Sequence, residues 1–334
     1  MKKLGYIAIV FVLIVMFTAC GSDSEKSSPA KKKISIIAAI YPQYDWLKNV
    51  LGERVDSVNL KLLVKNGTDL HSYNPSAQDI ASIASADMVV YVGGESDKWI
   101  EEALAATPKA GRVQVNQMNA MGDRVKEEEV VEGMQAEEDH HHEYGEESKE
   151  HTEDVENDEH VWLSLKNAEM LVMNLAETIS KLDTAHAAEY RMNAALYIAK
   201  ISGLDAQYHA VVEGAAHKVI LVGDRFPFRY LVDDYGIKYY AAFVGCSAES
   251  EASFETVAFL AGKMDSLALP AIFTIDGSNG KIARAILDAS KKSKETPVLT
   301  LNSMQSVTDE QVKAGADYLS MMRENLEVLK KAIK

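Results

Sequence analysis

Cysteine is nearly absent from this chain: its 334 residues contain two, Cys20 and Cys246. Cys20 closes a leader-like segment, so one thiol remains in the body and an internal disulfide framework is excluded. The long apolar run at residues 4–19 falls short of the ~20 residues that a membrane-spanning helix needs. Basic residues are outnumbered, 35 Lys and Arg against 50 Asp and Glu. No basic face is visible that would neutralise phosphates, which argues against nucleic acid as a partner. A glycine-rich phosphate loop and a His-Glu-x-x-His helix are both missing.

The acidity is local. Residues 123–159 hold 17 Asp and Glu against Arg124, Lys126 and Lys149, so this segment carries −14 of the net −15. Cations are its natural partners. It lacks periodic apolar residues and cannot repay its ordering entropy, so a mobile loop is expected. Five of the nine histidines fall between His140 and His160, and His140, His141, His142 and His151 lie inside the loop. Histidine-rich tracts bind metals, which makes these four candidates for recruiting ions; the alternative is a solvated acidic loop.

Residues 1–20 read as a secretory leader, with Lys2 and Lys3 ahead of the apolar run. Residues 17–20 resemble a bacterial lipobox, in which the cysteine is acylated and becomes the mature N-terminus. Residues 21–33 then form a polar tether. The protein is therefore expected on the extracytoplasmic face of a bacterial cell membrane, held by lipid on Cys20.

From residue 34 onward, short apolar runs alternate with amphipathic stretches. Strands are expected at 34–40, 58–64, 88–92, 113–115, 218–222, 238–243, 271–275 and 298–301. Helices are expected at 44–51, 76–84, 99–106, 254–267, 281–290 and 308–333. This alternation argues for α/β architecture with parallel sheets flanked by helices. Some 300 residues exceed one core, so two lobes are expected, at 34–183 and 215–334. Between them, Tyr190, Ala194, Tyr197, Ile201, Leu204 and Tyr208 recur at helical spacing. They predict a long rigid helix over 184–214 that joins the lobes, about 45 Å in length.

His71 lies between a predicted strand and a helix, at a carboxyl sheet edge where α/β proteins place ligands. His160 stands where the acidic loop rejoins ordered chain, and Trp162 beside it reads as packing. The segment Gly67-x-x-x-His71-x-Tyr73 and the segment Asp158-x-His160-x-Trp162-Leu163 together resemble the solute-binding proteins of zinc and manganese ABC importers, the ZnuA/TroA-like family. The likeness covers the chain from residue 34 and continues through residues 182–193 and 315–325. It implies that His71 and His160 are metal ligands. It also implies that the chain, as a monomer, passes its ion to an ABC permease and its ATPase.

The remaining ligands depart from the family pattern. Aligning Phe228, Tyr230, Tyr235 and Gly236 with the family's third-ligand stretch puts Arg225 where a histidine is usual, and a guanidinium has no lone pair to give. Asp224, Cys246 and Asp276 are the substitutes. Cys246 supplies a thiolate that favours zinc over manganese, or is a small buried apolar residue. Asp276 matches the region of a family carboxylate ligand, or caps the next helix. Glu251 is a possible partner for Arg225. A closed four-ligand site binds rather than catalyses, so an enzyme is not expected; zinc is the first choice, with manganese or iron(II) as alternatives. Neutral imidazoles are required, so affinity should fall as pH drops through about 6.5. A secreted zinc hydrolase using Glu159 as base and a surface adhesin are the rival readings.

Overall fold

The computed structural model describes residues 33–135, 156–247 and 251–333. The first half runs β1 (Ser35–Ala38), α1 (Tyr41–Leu51), β2 (Asn59–Leu62), α2 (Ala77–Ser85), β3 (Met88–Tyr91), α3 (Lys98–Ala106), β4 (Val113–Asn116) and α4 (Gln117–Met121). Two helices follow, α5 (Leu165–Leu182) and α6 (Ala187–Glu213). The second half runs β5 (Val219–Phe226), α7 (Arg229–Tyr235), β6 (Lys238–Val244), α8 (Phe254–Leu267), β7 (Ile272–Ile275), α9 (Lys281–Ala289), β8 (Val298–Leu301), α10 (Asp309–Lys313) and α11 (Tyr318–Ala332). Two four-stranded parallel sheets result, with orders β2-β1-β3-β4 and β6-β5-β7-β8. Both have the same winding. Strands such as Met88–Tyr91 and Ile272–Ile275 are buried along their whole length and apolar but for Thr274, as parallel strands covered on both faces are.

The expected strands are all present, with β5 running four residues further than its apolar run. Its register with β6 shifts between Val222 and Arg225, so Gly223 and Asp224 form a bulge and Arg225 resumes the pairing opposite Phe243. Helix α1 starts three residues before the expected position, because Pro42 is tolerated in a first turn. The expected helix over 308–333 is two helices. Gly315 adopts φ 94 between them, a conformation that a side chain disfavours. The break leaves the Ala316 carbonyl free to accept the Tyr41 hydroxyl at 2.8 Å.

Helix α6 has 27 residues, about 40 Å of rod. Tyr190, Ala194, Tyr197, Ile201, Leu204, Tyr208 and Val212 form its buried stripe, as the spacing predicts. It packs on α5, α1 and α11. The Tyr208 hydroxyl donates to the Met322 carbonyl at 2.5 Å, so the connecting helix is fastened to α11. The C-terminal helix thus returns to the first half of the chain, with Tyr318 edge-on to Trp46 at 5.1 Å.

The acidic segment was expected to lack structure throughout, and its described ends do not. Glu128 N–H donates to the Glu156 carbonyl and Asp158 N–H to the Lys126 carbonyl, both at 2.8 Å. Gln135 N–H donates to the Ala242 carbonyl at 2.9 Å, and Lys263 pairs with Glu132 at 3.0 Å. Backbone pairing and contacts with the second half order these residues despite their polarity. His140, His141, His142 and His151 lie outside the described residues, as do Cys20 and the leader. Among the described residues, no helix is long and apolar enough to cross a membrane.

Asp45 sits where α1, α6 and α11 meet. Its carboxylate accepts from the Tyr197 hydroxyl at 3.1 Å and from Tyr318 N–H at 3.3 Å. Burial foremost, then the charge of Asp317, pushes its pKa up to about 6, although these hydrogen bonds pull the other way. The folded value lies above the unfolded ~3.9, so the folded state holds the proton more tightly. The group's contribution to stability is therefore greatest below about pH 4 and is lost as pH rises through 6. Asp45→Asn should remove this loss. The unfolding free energy of the parent minus that of the variant, from urea titrations, should fall by roughly 2–3 kcal/mol between about pH 4 and pH 7. A difference that stays constant with pH would contradict the assignment.

Candidate metal centre

Loops at the strand carboxyl ends of both sheets supply three of the residues, as parallel sheets favour, and the chain entering α5 supplies the fourth. His71 belongs to a 3-10 turn, Leu70–Ser72, in the loop after β2. Asp69 starts that turn and accepts His71 N–H at 2.9 Å. His160 precedes the buried turn Val161–Leu163 that leads into α5. Cys246 follows β6, and Gln305 lies in the loop after β8.

The imidazole nitrogens His71 Nε2 and His160 Nε2 face each other at 3.2 Å. Two nitrogens bound ~2.0–2.1 Å from one tetrahedral ion stand roughly 3.3 Å apart, so the spacing suits a shared cation. The Cys246 thiol completes a group whose ligand atoms lie within 4.8 Å of one another.

A carboxylate fixes each ring from behind. Asp158 Oδ1 stands 2.8 Å from both His160 Nδ1 and His160 N. Glu159 Oε1 stands 3.2 Å from His71 Nδ1, and Ser96 Oγ is 2.6 Å from the same nitrogen. Ser96 also donates its hydroxyl proton to Glu159. These acceptors assign the protons to Nδ1 in both rings and leave both Nε2 lone pairs directed at the common point. Gly245 allows the close approach of the second sheet: a Cβ there would lie 2.9 Å from His160 Cε1.

Burial lowers the His71 pKa to about 2, helped by the facing His160 and by Arg225, so this ring is neutral at any working pH. Burial pulls His160 down as well, but Asp158 and Glu159 outweigh it and the net shift is upward. Burial, with Glu159, Glu128 and Asp158 adding to it, pushes the Cys246 thiol well above its ordinary range.

Gln305 was not anticipated. Its Nε2 lies 2.7 Å from His71 Nε2 and 2.6 Å from His160 Nε2, and its Oε1 accepts from Ser303 Oγ at 3.1 Å. Two amide protons match two lone pairs. A half-turn of the terminal amide would direct its oxygen, a metal-compatible donor, at the same point.

Asp224 and Asp276, both expected as candidate ligands, are not in the group. Asp224 accepts from Thr274 Oγ1 at 2.8 Å and from Ser278 Oγ, which turns it toward the loop after β7. Asp276 accepts from Ser303 N–H at 2.5 Å, Ser303 Oγ at 2.7 Å and Ser306 Oγ at 3.1 Å. Each carboxylate ties loops together at the same sheet edge. Arg225 pairs with Asp69 rather than Glu251, and so joins β5 to the turn that carries His71. Trp162 is fully buried and donates to the Ser303 carbonyl at 2.8 Å, which is the packing role expected of it. A cavity of about 580 Å³ leads to Cys246 and Glu159, lined also by Glu95, Glu101 and Glu156.

The chain resembles proteins of the same architecture. It is 32% identical to the zinc-binding lipoprotein AdcA of Streptococcus pneumoniae over 99% of its own length and 61% of that protein's. The chain therefore spans about three-fifths of the length of this relative. It is 28% identical to the high-affinity zinc uptake system protein ZnuA of Bacillus subtilis, covering 99% of this chain and 98% of that one. The crystal structure of the Zn(II)-bound ZnuA-like domain of Streptococcus pneumoniae AdcA superposes with a TM-score of 0.68 at 28% identity, covering 90% of this chain and 99% of the other. Periplasmic zinc-binding TroA from Treponema pallidum, at 22% identity and a TM-score of 0.70, shares the fold. The family model described as the zinc-uptake complex component A, periplasmic, matches residues 36–332, and the chain belongs to that family.

Proposed function

We propose that the protein is the extracytoplasmic solute-binding component of a zinc ABC importer, anchored through lipid on Cys20, which carries zinc as a monomer to a membrane permease and its ATPase. The lobes are assigned to residues 34–183 and 215–334, with 184–214 as the connector. The observation that carries the reading is the convergence of two Nε2 lone pairs, 3.2 Å apart, beside the Cys246 thiol. The ligands are His71, His160 and Cys246, with the Gln305 amide oxygen as fourth donor. Two imidazoles and a thiolate form a borderline-soft set that suits zinc, and a thiolate disfavours manganese.

The arrangement supports storage rather than hydrolysis. A hydrolase needs an open coordination position and a free base. Glu159, the candidate base, is engaged with Ser96 and with His71 Nδ1. AdcA and ZnuA are named for zinc binding and zinc uptake, which accords with the same cargo here.

Protein purified without added metal should carry one equivalent of zinc by elemental analysis. His71→Ala and His160→Ala should each lose it on dialysis against a weak chelator. Retention of one tightly held equivalent by both variants would place the site elsewhere.

The pH dependence differs from that of two free imidazoles near pH 6.5. His71 does not titrate there, whereas Cys246 enters the neutral range protonated. Each ion bound displaces the thiol proton, so affinity should rise with pH, about tenfold per unit near neutrality. Below the raised His160 pKa a second proton must leave and the slope should steepen. Zinc affinity measured by chelator competition from about pH 6.5 to 8 should show this slope, and Cys246→Ser should lower it by about one proton. Equal slopes in the two proteins would remove Cys246 from the ligand set.

A further inference from the structure

The two described ends of the acidic segment form a short antiparallel clasp beside the site. Glu128 N–H donates to the Glu156 carbonyl, Asp158 N–H donates to the Lys126 carbonyl, and Glu127 bridges Asn157. Three carboxylates of the clasp and its flank engage proposed ligands. Asp158 holds His160, and Glu159 holds His71. Glu128 Oε1 accepts the main-chain N–H of Cys246 at 3.0 Å. Asp158 acts within the same half of the chain, and Glu159 also accepts from the Cys246 thiol at 3.7 Å. Glu128 reaches across to the main chain of the loop after β6.

What holds Glu128 in place is a strap of residues 125–135 laid over the second half. Tyr230 Oη accepts Lys126 N–H at 3.0 Å and donates to the Asp158 carbonyl at 2.8 Å, pinning both strands of the clasp at once. Arg229 donates to the Glu127 carbonyl at 3.2 Å, and the Tyr239 hydroxyl donates to Glu129 at 3.1 Å. Beyond Glu128, Gln135 Oε1 accepts Ser253 N–H at 2.7 Å. The strap thus touches the second half at Cys246 and again at Ser253. Cys246 follows Gly245, where a Cβ would lie 2.9 Å from the His160 ring, so the thiol's placement depends on where this main chain is held.

We infer that Glu128 is a positioning residue that aims the Cys246 sulfur at the two imidazoles by fixing the Cys246 main chain, so that one clasp orients donors from both halves of the chain. It acts through geometry, as an acceptor at the correct reach. This inference rests on Cys246 being a ligand, and the test separates the two claims.

Cobalt(II) replaces zinc in tetrahedral sites and reports a bound thiolate through a near-ultraviolet sulfur-to-metal charge-transfer band. The full chain and its Cys246→Ser variant are titrated first. A band in the parent that vanishes in C246S establishes the thiolate; its absence in the parent, or persistence in C246S, overturns both the ligand and the inference. With the thiolate established, three substitutions follow. Glu128→Gln keeps an acceptor oxygen at the same reach and should keep the band. Glu128→Asp keeps the charge but withdraws the carboxylate by one methylene, and Glu128→Ala removes it. Both should lose most of the band and bind cobalt roughly 10–100-fold more weakly, the range typical of lost outer-shell support. They should still take up one equivalent through His71 and His160. Should E128A fail to fold, E128D and E128Q carry the comparison. An undiminished band and affinity in E128D would overturn the inference, as would a band lost in E128Q but kept in E128D, since charge and not reach would then be the cause.

Discussion

Two lone pairs aimed at one point repel, and the site depends on holding them there. Left alone, two imidazoles 3.2 Å apart would turn or take up a proton. Asp158 and Glu159 prevent the turning by occupying both Nδ1 positions, and they stabilise the tautomer that leaves Nε2 bare. These residues are consecutive, so one stretch of backbone sets both rings. That stretch is in turn fixed by Tyr230, whose hydroxyl donates to the Asp158 carbonyl. The family of the chain agrees with a centre built for a cation.

The second requirement is that the halves of the chain stay in register. His71 and His160 come from the first half, Cys246 and Gln305 from loops of the second. On the proposed reading, a donor set split in this way reads the separation of the two sheets. Helix α6 limits that separation, since its tyrosines are buried and its hydroxyl at Tyr208 is tied to α11. Trp162 adds a direct tie, donating to the Ser303 carbonyl two residues before Gln305 and accepting the Tyr318 hydroxyl on its own carbonyl. Ring packing next to His160 and loop placement next to Gln305 are therefore one interaction.

Much of this was legible in the sequence. Parallel strands buried on both faces leave continuous apolar runs, and the tyrosine stripe of α6 keeps helical spacing, so the fold showed in local pattern. His71 and His160 stood out because neighbouring glycine, tyrosine and tryptophan made their contexts distinctive. Gln305 gave no such signal: a glutamine in a loop before a capped helix is ordinary, and its role arises only when the second sheet meets the first. The ordered strap was hidden for the opposite reason. Its charge density predicts disorder, whereas its backbone finds partners in Glu156, Asp158 and Ala242 that lie far along the chain. Asp224 and Asp276 sit at the expected sheet edge, but which way a carboxylate turns there depends on a bulge and on serine hydroxyls that no spacing rule reveals.

Arg225 brings these points together. In the place where the family resemblance implies a third histidine, the chain carries a fixed positive charge, which would repel a divalent ion if it stood free. Its pairing with Asp69 neutralises it and fastens β5 to the turn that carries His71. On the proposed reading the missing imidazole is then made up from elsewhere, by a thiolate and an amide rather than by a carboxylate. The thiolate brings one negative charge into direct contact, and further carboxylate charge stands behind the donors at Asp158, Glu159 and Glu128. A hard ion gains most from carboxylate oxygens in direct contact, and a borderline ion gains from nitrogen and sulfur donors with charge close behind. The substitution at Arg225 and the presence of Cys246 therefore act in the same direction, toward zinc.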